Sequence, residues 1–281
     1  MTASKTESKT LLITGCSSGI GYTTAVELRQ RGHRVICSAR QPADVERLQA
    51  EGFDCLPLDL ADSASIHHAV ERLIAMTGGR IDALFNNGAF GQPGAVEDLS
   101  RDVLRNQFET NFFGTHELTN AILPLMRAQG HGRIIYNSSV LGFVAMKFRG
   151  AYNASKFALE GLADTLRLEL RGTGIHIVLI EPGPIESRFR QNALDMYRKH
   201  IDKHKSPHRV TYEAMETRLQ KVGPAAPFTL PATAVAEKVI HALESANPRA
   251  RYAVTVPTHL FAWLKRLLPT RWLDRILVSV E

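Results

Sequence analysis

Short apolar runs that alternate with amphipathic helical stretches constrain this chain more than any other feature. Helical stretches separate six such runs, and a seventh candidate lies nearer the carboxyl end: KTLLITG, HRVICSAR, FDCLPLDL, IDALFNNG, GRIIYNSS, IHIVLIEPG and RYAVTVP. Strands that alternate with helices predict a mostly parallel sheet with helices on both faces. Unbroken apolar runs are typical of strands buried on both faces. We therefore expect one doubly wound α/β domain of seven strands over residues 1–281.

Composition and cysteine usage exclude several classes of protein. Apolar residues make up 44% and charged residues 22% of the chain, which is typical of a soluble globular protein with a full core. No apolar run is long enough for a transmembrane helix, and the polar amino-terminal residues predict no signal peptide. The three cysteines, Cys16, Cys37 and Cys55, include no CxxC pair. We therefore expect no disulfide framework, no metal site and a reducing, cytoplasmic location.

The net charge of +6 is unevenly distributed, although a general solubility excess is its simplest interpretation. Nine Lys or Arg stand against four acids between Arg188 and Lys221, in a stretch that breaks the alternation of strands and helices. We predict that residues 187–230, with a helical middle at YEAMETRLQKV, form a substrate lid over the carboxyl edge of the sheet. The chain has no basic helix with aromatic side chains for base readout, so we expect no nucleic-acid partner.

The carboxyl-terminal segment, residues 257–281, is amphipathic and carries two tryptophans and four Lys or Arg between Thr258 and Leu277. Such a segment can rest weakly on a membrane surface, cap a pocket or join subunits, and these alternatives stay open. Pro269 divides the segment, which disfavours one long interfacial helix.

A glycine-rich loop, TGCSSGIG at residues 14–21, follows the first apolar run and opens the first helix. Glycines here let the backbone turn sharply and approach a pyrophosphate, and the helix start offers free N–H groups to an anion. A tight turn that binds nothing is the alternative, but the position between a strand and a helix favours nucleotide binding. The candidate cofactor contacts in this loop are Gly15, Ser17, Ser18, Gly19, Ile20 and Gly21.

The end of the second apolar run indicates which nicotinamide cofactor is bound. An acid at this point holds the ribose 2′-hydroxyl of NAD, whereas an arginine accommodates the 2′-phosphate of NADP. Here no acid is present and Arg40 ends the run. A guanidinium is always charged and donates two parallel bonds to phosphate, so we expect NADP(H) to be preferred and NAD(H) to be less favoured. The hydroxyls of Ser17 and Ser38 can add donors.

Tyr152 and Lys156 are four positions apart in GAYNASKFALEG, so they share one face of a helix. A tyrosine can give a proton to a developing alkoxide, but its reference pKa is about 10. A nearby ammonium stabilises phenolate, so we expect Lys156 to lower the pKa of Tyr152 toward working pH. A solvated helix face is the alternative interpretation. Ser138 and Ser139 end the fifth apolar run at the edge where open sheets bind ligands.

The order and spacing of these motifs, from Thr10 to about Ser187, resemble those of the short-chain dehydrogenase/reductase family. The glycine loop with Arg40 is most similar to the branch of hydroxysteroid and retinol dehydrogenases and bacterial NADP-dependent aldehyde reductases. The resemblance implies a Rossmann-type fold. It also implies a catalytic set of Ser139, Tyr152, Lys156 and Asn111. The family's serine stands thirteen residues before its tyrosine, which selects Ser139, and its hydroxyl binds the carbonyl oxygen of the substrate. Asn111 supports a helix kink and a water chain.

The resemblance further implies cofactor contacts outside the glycine loop. They follow the third, fourth and sixth strands and include the tyrosine–lysine pair: Asp59, Leu60, Asn86, Gly88, Tyr152, Lys156, Pro182, Gly183, Ile185 and Ser187. The turn Asn86-Asn87-Gly88-Ala89 exchanges glycine and alanine relative to the NNAG turn of the family, and the exchange changes which position tolerates a positive φ.

These features predict an NADP(H)-dependent oxidoreductase that interconverts a carbonyl compound and an alcohol, with Tyr152 as general acid or base. A catalytically silent NADP(H)-binding sensor or scaffold is the alternative. Family resemblance implies a homodimer or homotetramer assembled through the long helices. Apolar and aromatic residues near the lid predict a hydrophobic aldehyde or ketone substrate, although about half of them are expected only to pack the lid on the body: Phe90, Gln92, Leu141, Phe143, Val144, Met146, Phe148, Phe189, Met196, Tyr197, Tyr212 and Met215.

Overall fold

The structure, a computed structural model, describes residues 7–221, 223 and 226–279. The polar amino-terminal residues 1–6, residues 222, 224 and 225 of the predicted lid and residues 280–281 of the carboxyl-terminal segment lie outside the described residues.

A seven-stranded parallel sheet forms the centre of the molecule, in the order β3-β2-β1-β4-β5-β6-β7. The predicted doubly wound sheet is confirmed, and all its strand pairs are parallel. The chain moves outward from β1 to β3, then returns to pair β4 with β1, which opens a crevice at the carboxyl ends of these two strands. The strands are β1 Thr10–Ile13, β2 Arg34–Ala39, β3 Asp54–Pro57, β4 Ala83–Asn86, β5 Gly132–Asn137, β6 Ile175–Glu181 and β7 Arg251–Ala253.

Helices cover both faces of the sheet, as the unbroken apolar strands predict. The helices are α1 Gly19–Gln30, α2 Pro42–Ala50, α3 Ser63–Thr77, α4 Arg101–Phe108, α5 Gly114–Gln129, α6 Gly150–Glu169, α7 Phe189–His200, α8 Arg209–Gln220, α9 Thr233–Glu244, α10 Val256–Leu267 and α11 Thr270–Ser279. Apolar residues of α1, α2 and α9 pack on one face, and those of α3, α5 and α6 pack on the other. Among the described residues, no helix is long and apolar enough to cross a membrane.

The helical region from Arg101 to Gln129 is interrupted near its middle. α4 and α5 are joined by a π-helical turn, Glu109–Phe113, which contains the buried Asn111. Gly114 follows this turn and lies so close to the loop after β3 that an added Cβ would stand 1.7 Å from the carbonyl oxygen of Leu60. Only glycine fits at this approach, so the interruption and the glycine fix the start of α5 against the loop that follows β3.

Residues 187–230 were predicted to form a substrate lid and are called the lid segment after that prediction. They contain the predicted helical middle as α8 and a helix that the sequence did not suggest, α7. The two helices share an apolar cluster separate from the sheet core, built from Ala95, Ala193, Leu194, Tyr197, Ile201, Tyr212 and Leu219. Beyond β7, the carboxyl-terminal segment forms α10 and α11, and the predicted division at Pro269 lies between them.

Candidate active site

A cavity of about 630 Å³ lies at the carboxyl ends of the central strands and extends beneath the lid segment. Most of the candidate site residues line it: Gly15, Ser17, Ser18, Gly19, Ile20, Gly88, Ser139, Tyr152, Lys156, Pro182, Gly183, Ile185 and Ser187. The other candidates are not among the residues that line it: Gly21, Arg40, Asp59, Leu60, Asn86 and Asn111. The fold therefore brings together motifs that are separated by more than a hundred residues of sequence.

The glycine loop has the backbone geometry that its sequence predicts. Gly15 and Gly19 have φ values of 71° and 57°, a region that disfavours other residues. An added Cβ on Gly21 would lie 2.4 Å from the carbonyl oxygen of Gly15, so α1 can pack this closely only with glycine at that position. Ser18, in an extended conformation, precedes α1 without a side-chain cap, which leaves the first N–H groups of the helix facing the cavity.

Asn87, which was not among the sequence candidates, supports this loop and lines the cavity. Its amide nitrogen donates to the carbonyl oxygens of Thr14 and Gly15 at 2.8 and 3.1 Å. The preceding residue, Asn86, is buried and donates instead to Thr119. Neither Gly88 nor Ala89 has a positive φ, so the exchange of glycine and alanine in this turn requires no strained backbone. The repeated asparagine was the available signal for Asn87.

The residues present fit a dinucleotide. The uncapped start of α1 offers N–H groups to a pyrophosphate, and the exposed Arg40 directly after β2 has no hydrogen-bond or ion-pair partner among the described residues. Asp59 lies beyond β3, where its carboxylate accepts from the N–H of Ala61 at 3.0 Å. Leu60 is buried next to Gly88. Ser38 is buried with an unpaired hydroxyl, so it does not stand at the surface beside Arg40.

Tyr152 and Lys156 lie on the first turns of α6, and the Lys156 Nζ is 5.7 Å from the centre of the Tyr152 ring. Ser139 hydrogen-bonds Tyr152, and its Oγ also accepts from the N–H of Leu141 at 3.1 Å. Lys156 donates to the carbonyl oxygen of Asn137 at 2.6 Å. The amide of Asn137 in turn donates to Asn87, so hydrogen bonds connect the Tyr152–Lys156 helix to the glycine loop.

Burial controls the protonation of both groups. It raises the pKa of Tyr152 to about 12, and the hydrogen bond from Ser139 and the charge of Arg149 offset only part of that rise. It lowers the pKa of Lys156 to about 8, against the opposing charge of Glu160. The expectation of a lowered Tyr152 pKa is therefore wrong for this arrangement of protein groups. Tyr152 is a neutral phenol near neutral pH, which is the form able to donate a proton.

Ser138 also lines the cavity, but its hydroxyl is bonded within the protein. Its hydroxyl donates to the buried carboxylate of Glu160, which also pairs with Arg251. Arg251 binds the carboxylates of Glu181 and Asp164 as well, each at 2.7 Å. This network lies directly behind the end of β5, so it holds the backbone that presents Ser139 to the cavity.

Asn111 is buried behind the cavity wall. Its amide nitrogen donates to the carbonyl oxygen of Phe90 at 2.9 Å and to Ser155 at 3.3 Å, and its amide oxygen accepts from the N–H of Phe90. Ser155 precedes Lys156, so Asn111 connects the π-helical turn to the start of α6. A water chain from Lys156 past this residue stays a prediction.

The loop after β6 forms another wall of the cavity. Pro182 accepts from the N–H of Val140, which joins this loop to the end of β5. Gly183 is required for close approach, because an added Cβ would lie 2.1 Å from the Thr255 hydroxyl. Ser187 lies against the glycine loop, with its Cβ 3.0 Å from the position that a Cβ on Gly19 would occupy. The loop therefore faces the start of α1 across the cavity.

The lid segment covers Tyr152 with an aromatic side chain. The ring of Phe189 packs edge-on to Tyr152 with centroids 5.3 Å apart. Of the apolar and neighbouring residues expected near the substrate, four line the cavity: Gln92, Leu141, Met146 and Phe189. Most of the others pack the lid segment or the carboxyl-terminal helices, as part of the set was expected to do: Phe143, Val144, Phe148, Tyr197, Tyr212 and Met215.

Residues 9–198, more than half of the chain, match the family model described as short chain dehydrogenase. The chain belongs to the short-chain dehydrogenase/reductase family. It is 43% identical over 273 residues to an uncharacterized oxidoreductase of Escherichia coli, YbbO. The aligned residues make up 97% of this chain and 95% of that protein. It is also 34% identical to human 17-beta-hydroxysteroid dehydrogenase type 1, over 87% of this chain and 77% of that protein. These relatives match the hydroxysteroid and retinol dehydrogenase part of the expected branch, and the sensor alternative gains no support.

Two solved structures show the same fold. A short-chain dehydrogenase/reductase from Burkholderia phymatum in complex with NAD aligns with a TM-score of 0.78 at 22% identity, over 94% of each chain. One from Burkholderia cenocepacia in complex with NADP aligns with a TM-score of 0.75 at 20% identity, over 97% of this chain and 98% of that chain. Within the described residues, no three His, Cys, Asp or Glu side chains gather where they could hold a metal ion.

Proposed function

We propose that this short-chain oxidoreductase uses NADP(H) to interconvert a hydrophobic aldehyde or ketone and its alcohol. The observation that supports this most directly is the placement of Ser139, Tyr152 and Lys156 in one cavity with the glycine loop. A silent binding protein needs the glycine loop but has no use for a buried phenol hydrogen-bonded to a serine hydroxyl.

The glycine loop and the first N–H groups of α1 would hold the pyrophosphate, and the loop from Pro182 to Ser187 would hold the nicotinamide end. The bound dinucleotide supplies the hydride. Arg40 would bind a 2′-phosphate, because its exposed guanidinium follows β2 without a competing acid in the sequence SAR. This charge is the basis for proposing NADP(H) over NAD(H).

The proton would come from Tyr152. When the substrate binds, the Ser139 hydroxyl would turn from Tyr152 and donate its hydrogen bond to the carbonyl oxygen, which fixes the position of that oxygen. The neutral Tyr152 phenol gives its proton as negative charge develops on the same oxygen. The positive charge of Lys156 stabilises the phenolate that remains, and Lys156 is held by the carbonyl oxygen of Asn137. Asn111 positions the start of α6 and, by our proposal, the water chain that returns the proton.

We also propose that the enzyme is a homodimer or homotetramer. Large apolar side chains are exposed on the helices that flank the site: Leu104, Phe113, Phe157 and Leu168. Pairing of these helices between subunits would remove this surface from water.

The carboxyl-terminal helices carry a second exposed apolar surface that includes Trp263, Leu267 and Trp272, beside Lys265 and Arg266. We propose a weak contact of this surface with an anionic membrane, since aromatic rings beside cations suit the interface. A reducing, cytoplasmic location accompanies this proposal, because the three buried cysteines are all free.

The direct test measures oxidation of NADPH and of NADH by the purified protein with decanal, cyclohexanone and a keto-steroid. We expect turnover with at least one carbonyl compound and a lower KM for NADPH than for NADH. Arg40→Leu should weaken NADPH binding roughly 10- to 100-fold and leave NADH binding unchanged. Arg34→Leu serves as the matched control, because it removes an exposed arginine of β2 that pairs with Asp54 of the neighbouring strand β3. Tighter binding of NADH than NADPH by the unaltered protein would contradict the role of Arg40.

A further inference from the structure

Two arginines line the cavity near Tyr152 and have no side-chain partner among the described residues. Arg149 directly precedes α6, and Arg218 lies in the last turn of α8. Both are partly buried. Within residues 7–221, 223 and 226–279, neither guanidinium has a hydrogen bond or an ion pair. Withdrawal of an unpaired charge from water is unfavourable, so a fold keeps such groups where they bind something.

Another partly buried arginine shows how carboxylates can neutralise such a charge in this chain. Arg251 is surrounded by the carboxylates of Glu160, Asp164 and Glu181. No carboxylate is supplied to Arg149 or Arg218 among the described residues. The difference indicates that the two cavity arginines are not structural ion-pair members.

The backbone at Arg149 is held in a strained and fixed position. The preceding residue, Phe148, has a φ of 58°, which costs a non-glycine residue about 1 kcal/mol. Its ring is held by the lid segment, with centroids 5.4 Å from His208 and 5.6 Å from Tyr212. The carbonyl oxygen of Phe148 accepts from Gly94 at 3.0 Å, and that of Arg149 accepts from Asn153 at 2.8 Å. Strain maintained by such packing is typical of functional positions.

The charges of the cavity have one predominant sign. Four arginines and one lysine line it: Arg149, Lys156, Arg188, Arg190 and Arg218. The one acid among the described lining residues is Glu186, which is exposed. Burial and the charge of Arg218 lower the pKa of Arg149 to about 10, so it stays charged at neutral pH. The charge of Arg149 also acts on Tyr152, which places it near the proton donor.

We infer that Arg149 and Arg218 bind an anionic group, a carboxylate or a phosphate, on the carbonyl substrate. The inference rests on the proposed function and deepens it, because the substrate becomes an amphipathic oxo acid or oxo phosphate rather than a purely apolar molecule. Apolar residues of the same cavity, Met146, Phe189 and Leu260, contact its carbon chain. A guanidinium pair suits either oxyanion through parallel N–H bonds.

The test compares matched substrates. We expect kcat/KM for 6-oxohexanoate to exceed that for hexanal at least tenfold, mainly through KM. A preference for 6-oxohexanoate without a preference for glyceraldehyde 3-phosphate over glyceraldehyde identifies carboxylate as the bound group. The reverse result identifies phosphate, and a preference for both charged substrates shows that the arginine pair accepts either group. Arg149→Met and Arg218→Met should each raise KM for the preferred anion roughly 10- to 100-fold more than KM for its neutral partner. Arg209→Met, on α8 but paired with Glu213 and outside the cavity lining, is the matched control.

Three outcomes would overturn the inference. The first is equal kcat/KM for the charged and neutral members of both pairs. The second is a loss of hexanal turnover in Arg149→Met that is as large as the loss of turnover of the charged substrate. That result would mean that Arg149 acts on Tyr152 and not on the substrate. The third is weaker NADPH binding in either variant, which would assign the arginines to the cofactor. If no carbonyl compound is reduced, the proposed function fails separately. Calorimetric titration of the NADPH-bound protein with hexanoate, before and after Arg149→Met, then decides whether the anion site exists.

Discussion

The cavity has a body wall, made by the glycine loop, the ends of β4 and β5 and the start of α6, and a lid wall, made by α7 and α8. On the body wall, hydrogen bonds run without a break from Lys156 through Asn137 and Asn87 to the carbonyl oxygen of Gly15. The lid wall is held by an apolar cluster of its own and presents Arg218 to the cavity with no partner among the described residues. We therefore expect substitutions on the body wall to change chemistry and cofactor binding, and those on the lid wall to change substrate choice and stability.

The largest effect should come from Tyr152→Phe on the body wall. Removal of the phenolic hydroxyl abolishes the proposed proton donor, so kcat for carbonyl reduction should fall about 10²- to 10⁴-fold while the Kd for NADPH is unchanged. Steady-state kinetics and fluorescence titration measure the two quantities. Tyr197→Phe is the control, because the Tyr197 hydroxyl is buried on the lid side without a hydrogen-bond partner among the described residues. Full turnover by Tyr152→Phe would remove Tyr152 from the mechanism.

A smaller effect is expected when the glycine loop is altered. Gly15→Ala and Gly130→Ala place a side chain at nearly equal φ values, 71° and 73°, and each should lower the free energy of unfolding by about 1–2 kcal/mol. An added Cβ on Gly15 would also lie 2.9 Å from the Gly88 Cα, whereas Gly130 faces open space.

We therefore expect NADPH binding to weaken at least tenfold in Gly15→Ala only, as measured by titration alongside chemical denaturation. Equal NADPH affinity in the two variants would show that the geometry of the loop does not matter for the cofactor.

The sequence predicted the body wall better than the lid wall for a physical reason. Glycines at a strand end and a Tyr–Lys pair one helical turn apart depend on local backbone geometry, which short motifs specify. Asn87 was missed although it adjoins Asn86, because the sequence does not show which of two adjacent amides faces the cavity. The interruption at Asn111 was expected, but its π-helical form depends on contacts with Phe90 and Ser155.

Electrostatic properties were the least predictable. Spacing suggested that Lys156 lowers the pKa of Tyr152, but burial dominates and raises it. Desolvation depends on what the complete fold places around a group, including the lid ring of Phe189. On the lid wall, α7 was missed although Ala193, Leu194 and Tyr197 have helical spacing, because its many charges obscured that pattern. No local motif indicated that Arg149 and Arg218 would share a cavity.

On the lid wall, Tyr212→Phe should affect stability more than chemistry. The Tyr212 hydroxyl accepts from the buried N–H of Ala95 at 2.8 Å and donates to Asp98. Its loss leaves the N–H of Ala95 without a partner, which costs about 1–3 kcal/mol of unfolding free energy. Denaturation measures this change, and NADPH affinity should be unaffected. Tyr197→Phe, in the same cluster, should change the unfolding free energy little, and an equal loss in both variants would contradict the assigned hydrogen bonds.

The smallest effect should be the pH dependence of stability that Lys156 contributes. Its pKa is about 8 in the folded protein and 10.5 in the reference state, so above pH 8 the unfolded chain binds more protons than the folded one. The free energy of unfolding should therefore gain about 1 kcal/mol per pH unit from this group between pH 8 and 10. Below pH 8 both states are protonated and the slope vanishes. Tyr152, with a pKa raised to about 12, gives the opposite slope only above pH 10.

Urea denaturation should show the rise in the unaltered protein and in Lys199→Met, which lacks an exposed lysine of α7, but not in Lys156→Met. A slope that survives in Lys156→Met would mean that burial does not lower the pKa of this lysine and that other body-wall groups titrate in its place.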